Sequence, residues 1–214
     1  MRAAKLVALL GCMLGLAACG DPSQLSFGEA EAFLLEKMRA QTSTHAANGY
    51  QLEVRPVPSE YLAVREVKTS GTPTQSAYDA ARESYGDARY FLLTIKPQEG
   101  VREGDIMMQD VRDYEAYQQR FLELSFSLRE HLSLEYEGGS LQPVLSNTEH
   151  DYGLSAHRSA MLAFVPRNEE ELQALSSGAL TLVFDDRIFN TGINRFAFDA
   201  SNLSNLPPVE VTTL

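Results

Sequence analysis

Apolar positions recur at spacings of three and four after Phe27, where Ala30, Phe33, Leu34 and Met38 fall on one face, and this period predicts a helix from Phe27 to about Ala47. Ser26 followed three residues later by Glu29 has the form of a capping box at its start, and Asn48-Gly49 suits the turn that closes it. Downstream the period shortens toward two. Residues 51–57 and 62–68 read as strands, 74–84 as a short helix stopped by Gly86, and 88–96 as a run of aromatic and branched strand formers ended by Pro97. A further strand is expected at 106–111, then one or two helical turns at 113–120. In 121–128, Phe121, Glu123, Ser125 and Ser127 alternate with Leu122, Leu124, Phe126 and Leu128, which predicts a strand with one buried face. Residues 132–136 and 141–145 flank Glu137-Gly138-Gly139-Ser140 as a hairpin. Beyond it come a strand at 160–165, a short helix at 168–175 capped by Asn168, strands at 180–184 and 194–198, and an edge at 209–211. Strands spaced this way without regular intervening helices predict a mainly β protein: an antiparallel immunoglobulin-like β-sandwich over 87–214, preceded by a helix and a small α+β region over 27–86.

The first residues follow a different pattern. Arg2 and Lys5 precede an apolar run, 6–18, that is too short for a membrane-crossing helix, which needs about 20 residues, but has the length of a secretory signal. It ends in Leu16-Ala17-Ala18-Cys19, which resembles the lipobox of bacterial lipoproteins. The resemblance implies cleavage after residue 18, lipid on the Cys19 sulfur, an acylated Cys19 amine and a short tether over 19–26. Several acyl chains hold a protein to a bilayer far more firmly than one. Gly20 in the position after the cysteine is similar to the outer-membrane pattern of Gram-negative lipoproteins. The expected location is the cell envelope, with the membrane reached through the N-terminal lipid.

Cysteine usage sharpens that expectation. Of the two cysteines, Cys12 lies within the signal and Cys19 carries the lipid, so the mature chain has no thiol for a disulfide, a nucleophile or a metal. The net charge of −11, made more acidic by loss of Arg2 and Lys5, disfavours nucleic acid and anionic headgroups as partners. Only four lysines occur and no Gly-rich loop precedes one, which argues against nucleotide chemistry. The absence of tryptophan removes the usual stacking platform for sugars. No cofactor is expected.

Two clusters could carry chemistry. His150 and His157, with Glu149, Asp151 and Ser155 in the same loop, offer nitrogen and oxygen donors of the kind zinc accepts, without any recognised ligand spacing. Ser155 or Ser159 with His157 and Asp151 or Asp185 could form a hydrolytic triad, although no Gly-x-Ser-x-Gly elbow is present. Asp185 and Asp186, with Asp199 beyond the next turn, could form an oxygen cage for calcium, or equally a solvated turn. Residues 88–200, with Tyr152-Gly153-Leu154 and the acidic pair, resemble β-sandwich modules of uncharacterised bacterial lipoproteins, which brings no activity with it. Tyr152 would then be a buried anchor bonded to backbone. The expected function is noncatalytic, a binding or structural module for an envelope protein or ligand. The alternative is a metal-dependent or hydrolytic envelope enzyme using the 149–157 loop and Asp185-Asp186.

Overall fold

In the computed structural model, which describes residues 23–71, 73–149 and 155–211, helices recur along the chain instead of stopping at residue 86. Strand β1 (Leu25–Ser26) leads into helix α1 (Phe27–Ala40), which buries Ala30, Leu34 and Met38 at four-residue spacing. Ser26 donates its hydroxyl to the Glu29 carboxylate but caps no helix N–H, so the two side chains meet each other and the expected capping box does not form. The helix stops at Ala40, short of the predicted Ala47. There Thr42 Oγ1 donates to the Met38 carbonyl at 3.0 Å, and Ser43–Ala47 becomes strand β2, antiparallel to β3 (Tyr50–Val57). Asn48 and Gly49 turn between them at φ of 51° and 77°.

Helix α2 (Ser59–Ser70) replaces the strand expected at 62–68. Extended Pro58 opens it, left-handed Gly71 closes it, and Ala63, Val64 and Val67 bury themselves on one helical face. Packing of that face outweighs the strand preference of the two valines. Helix α3 (Gln75–Tyr85) forms where predicted, its first turn capped by Thr74 Oγ1, which accepts from Ala77 N at 3.2 Å. Strand β4 (Arg89–Pro97) follows.

The strand expected at 106–111 does not form. Ile106 and Met107 are buried there within a run of turns. Arg120 Nη1 gathers the Ile106 and Gln109 carbonyls at 2.9 and 2.5 Å, and Arg158 Nη2 pairs with Asp105 at 2.8 Å. Helix α4 (Tyr114–Leu122), capped by Asp113, runs on through a π turn (Glu123–Ser127) and a 3₁₀ turn (Leu128–His131), where the alternation at 121–128 predicts a strand. Only Leu124 and Leu128, four residues apart, are buried; Phe126 is 70% exposed. The apolar residues of this segment therefore divide by helical geometry, and Thr148 Oγ1 satisfies the Leu124 carbonyl at 3.0 Å.

Strands β5 (Leu132–Tyr136) and β6 (Gly139–Leu141) make a hairpin at the predicted place but with a tighter turn: Gly139 and Ser140, expected in the turn, pair with Tyr136 and Glu135, and of the second arm expected at 141–145 only Leu141 pairs with β5. After β7 (Leu145–Thr148) and β8 (Arg158–Phe164) comes helix α5 (Glu169–Ser176), capped by Asn168 Oδ1 on Glu171 N at 2.9 Å. Strands β9 (Ala179–Asp186) and β10 (Gly192–Asp199) pair along their whole length. Helix α6 (Ala200–Ser204) and strand β11 (Val209–Glu210) close the chain. Strand β11 pairs in parallel with β1, so Leu25 and Ser26, assigned by sequence to the tether, belong to the folded part.

The protein is a mixed helix and antiparallel-sheet fold rather than mainly β. A five-stranded sheet in the order β2-β3-β4-β8-β7 and a four-stranded sheet in the order β10-β9-β5-β6 bury one core between them. Alternate residues of every long strand point into it: Leu52 and Val54, Phe91, Leu93 and Ile95, Leu162 and Phe164 from one sheet, Leu180, Leu182, Phe184, Phe196 and Phe198 from the other. Phe91 sets its ring against Phe164 and Phe198 at 5.9 and 5.2 Å between centroids. Helices α1, α2 and α3 form a second cluster with Leu25 and Val209. The region assigned to 27–86 is thus not separate from the sheets, because β3 pairs with β4 along its whole length, from Tyr50 opposite Pro97 to Val57 opposite Tyr90.

Candidate functional site

Cys19, His150, Asp151 and Tyr152 lie outside the described residues. Of the other residues singled out by sequence, Ser155, His157 and Ser159 lie at the start of β8, Asp185 and Asp186 at the end of β9, and Asp199 at the end of β10. His157 is exposed at the start of β8, and Ser155 Oγ donates to the main-chain carbonyl of His157 at 3.0 Å, not to its imidazole. Ser159 is buried on β8, where its hydroxyl shares a hydrogen bond with Thr94 across the ladder at 3.0 Å. Glu149 N donates to the Ser159 carbonyl at 2.8 Å.

Asp185 and Asp186 are neighbours on a strand and so point to opposite faces. Asp185 pairs with Arg187 at 3.0 Å at the surface. Asp186 is 1% exposed, and its carboxylate accepts from Ile188 N at 2.9 Å, Phe189 N at 3.0 Å, Thr191 N at 3.1 Å and Thr191 Oγ1 at 2.5 Å. Four donors fill its acceptor sites, so it organises the β9–β10 connection and has no lone pair left to offer an ion. Asp199 sits at the far end of β10, opposite Ala179, where its Oδ1 caps α6 by accepting from Ser201 N at 2.9 Å. The calcium cage of Asp185, Asp186 and Asp199 is therefore not assembled. No group of three or more His, Cys, Asp or Glu side chains that could hold a metal occurs among the described residues.

The site that the structure does build was not visible in the sequence. A cavity of about 200 Å³ opens where the end of β3, the start of α2, the α3–β4 turn, α5 and α6 meet. Its walls follow from local rules. Pro58 ends β3 and begins α2, turning Ser59 and Glu60 inward. Gly86, at φ 56°, reverses the chain after α3 and leads through Asp87 to Arg89 at the start of β4, both of which line the cavity. Leu203 supplies accessible apolar lining, and Pro56, Val57 and Phe91 border the cavity while themselves buried.

Arg89 is the centre of this cleft. Its Nε donates to the Leu175 carbonyl at 2.9 Å, and its Nη2 donates to Ser176 Oγ at 2.7 Å and Ser204 Oγ at 3.2 Å. Both serines accept because each gives its own proton to a helix carbonyl, Leu172 at 2.7 Å and Ala200 at 3.1 Å. Nη1 has no acceptor, and no carboxylate forms an ion pair with Arg89, among the described residues. Burial holds the guanidinium below its ordinary value, Asp87 and Glu60 pull it back up and Arg82 pushes it down; it is cationic at neutral pH all the same. Across the cleft, Arg82 Nε pairs with Glu60 Oε1 at 2.8 Å, and Ser59 Oγ donates to the other oxygen of Glu60 at 3.3 Å. Asp87 is exposed at the mouth and makes no hydrogen bond or ion pair among the described residues. The cleft thus offers one uncommitted cationic donor and one uncommitted carboxylate.

The segments Pro56-Val57-Pro58-Ser59-Glu60 and Gly86-Asp87-Ala88-Arg89 carried the only sequence signal for this site. They read as a strand end and a turn, and nothing in one sequence says that they face each other. Comparison with protein-family profiles and with curated proteins finds no match. Among solved structures, a crystal structure described as a novel protein of unknown function from Burkholderia pseudomallei K96243 is similar over 86% of this chain and 94% of its own, at 10% identity and a TM-score of 0.39.

Proposed function

We propose that the chain is a lipid-anchored cell-envelope protein that acts as a noncatalytic binding module, with the cleft at Arg89 as its ligand site. The anchor reading is supported by Leu16-Ala17-Ala18-Cys19 after a short apolar run, with Gly20 favouring the outer membrane in a Gram-negative cell. No helix among the described residues is long and apolar enough to cross a membrane. The finer reading of the two sheets as an immunoglobulin-like β-sandwich rests on their antiparallel faces and shared core. One observation carries the ligand site: a guanidinium held in a cavity by three fixed hydrogen bonds with its remaining nitrogen uncommitted. An envelope protein remains the expected macromolecular partner, and nucleic acid is disfavoured by the charge of −11.

Detergent-phase partitioning of cells expressing the wild-type chain and Cys19→Ser tests the anchor. Wild type enters the detergent phase and incorporates labelled palmitate, whereas Cys19→Ser does neither. A Cys19→Ser protein that still partitions with membranes refutes the lipid anchor.

A further inference from the structure

The cleft is selective in charge as well as shape. Its four ionised side chains balance, Arg82 and Arg89 against Glu60 and Asp87, and Arg82 with Glu60 already neutralise each other at 2.8 Å. What remains is Arg89 Nη1 on one wall and the Asp87 carboxylate at the mouth. A dianion such as phosphate would meet two carboxylates and only one free guanidinium nitrogen, because Nε and Nη2 are spent on Leu175, Ser176 and Ser204. Bidentate clamping of an oxyanion by the arginine fork is therefore closed. A ligand bearing one carboxylate and one ammonium meets an opposite charge at both ends, and the cavity of about 200 Å³ limits it to a small molecule.

We infer that the cleft binds a small free amino acid as its zwitterion, its carboxylate on Arg89 Nη1, its ammonium on Asp87 and its side chain on the side of Leu203. This inference rests on the cleft being the ligand site of the protein. Each charged contact is worth roughly tenfold in affinity.

Isothermal titration of the detergent-solubilised full chain with L-valine, N-acetyl-L-valine, lactate and inorganic phosphate tests it. Valine binds. N-acetylvaline, which keeps the carboxylate and loses the ammonium, binds about tenfold more weakly, and phosphate binds more weakly still. Asp87→Asn, an exposed change that leaves the helices and sheets intact, weakens valine about tenfold and does not weaken N-acetylvaline, whose lone negative charge it no longer repels. Arg89→Lys weakens both. Equal binding of valine and N-acetylvaline, or preference for lactate or phosphate, overturns the amino-acid assignment while leaving the cleft as a site. Absence of heat with all four compounds overturns the cleft as the ligand site, and with it this inference.

Discussion

Replacement of Asp186 by Asn separates the two roles open to the acidic pair. Asn keeps the shape of the side chain but turns one acceptor oxygen into an amide donor. If its remaining oxygen stays with Ile188 N and Phe189 N, at 2.9 and 3.0 Å in the native protein, the new amide faces Thr191 N, formerly 3.1 Å from a carboxylate oxygen. The Thr191 hydroxyl can rotate to accept, but the Thr191 N–H cannot, and it is left without an acceptor at a cost of about 1 to 3 kcal/mol. The two surviving bonds also change from charge-assisted to neutral, which costs roughly another 1 kcal/mol. A total of about 2 to 4 kcal/mol corresponds to a urea midpoint lowered by about 1 to 2 M at a slope of about 2 kcal/mol per M. With no tryptophan in the chain, far-ultraviolet circular dichroism or tyrosine emission follows the transition. Calcium added to the wild type leaves the midpoint where it was. A midpoint for Asp186→Asn within 0.2 M of wild type, or a calcium-dependent rise in the wild type that the variant loses, refutes the structural role assigned to this carboxylate.

Two pH dependences follow from other contacts. Arg167 grips Glu171 through its side chain and its backbone N–H and lowers that carboxyl from 4.5 to about 2, so the stabilisation is complete above about pH 4.5 and is lost as pH falls toward about 2. Acid titration of the unfolding midpoint shows this slope, and Arg167→Met, which keeps the backbone N–H, reduces it in that window. Burial pushes Tyr78 up to about 12, and burial with the Glu66 carboxylate beside it does the same for Tyr85. A raised phenol favours the folded state below pH 10 and ceases to do so as pH rises toward about 12; phenolate absorbance therefore climbs in two stages, the later one coinciding with loss of helix, and Tyr78→Phe reduces that late stage.

What was legible in the sequence was mostly local. Asn168 and the glycines at 138 and 139 announced a helix start and a hairpin because their effect reaches only three or four residues, and both features stand in the structure. Strands β4 and β8 were legible because a run of branched and aromatic residues ended by proline admits few other readings. The failures came where two periods fit the same residues. Leu122, Leu124, Phe126 and Leu128 satisfy alternation, but only the pair four apart meets the core, and Asp113 had already started a helix that carries the backbone through. In 59–70 the valines argued for strand, while Pro58 before and Gly71 after argued for helix, and burial against α1 and α3 decided the matter.

The site residues divide along the same line. Asp185 and Asp186 drew notice by adjacency, yet adjacency on a strand sends two side chains to opposite faces, a rule already available from period two. Arg89 drew none, since its meaning depends on Glu60, Arg82, Ser176 and Ser204, all placed by folding alone. Arg89 staples α5 and α6 to β4 with three donors, and a guanidinium placed there incurs desolvation that a neutral side chain would not. That charge is set among serine hydroxyls and a carbonyl rather than against a carboxylate, in a cavity whose other arginine is already neutralised by Glu60. The arrangement fixes Arg89 in direction among neutral acceptors, with Asp87 and Glu60 acting on its charge only at a distance.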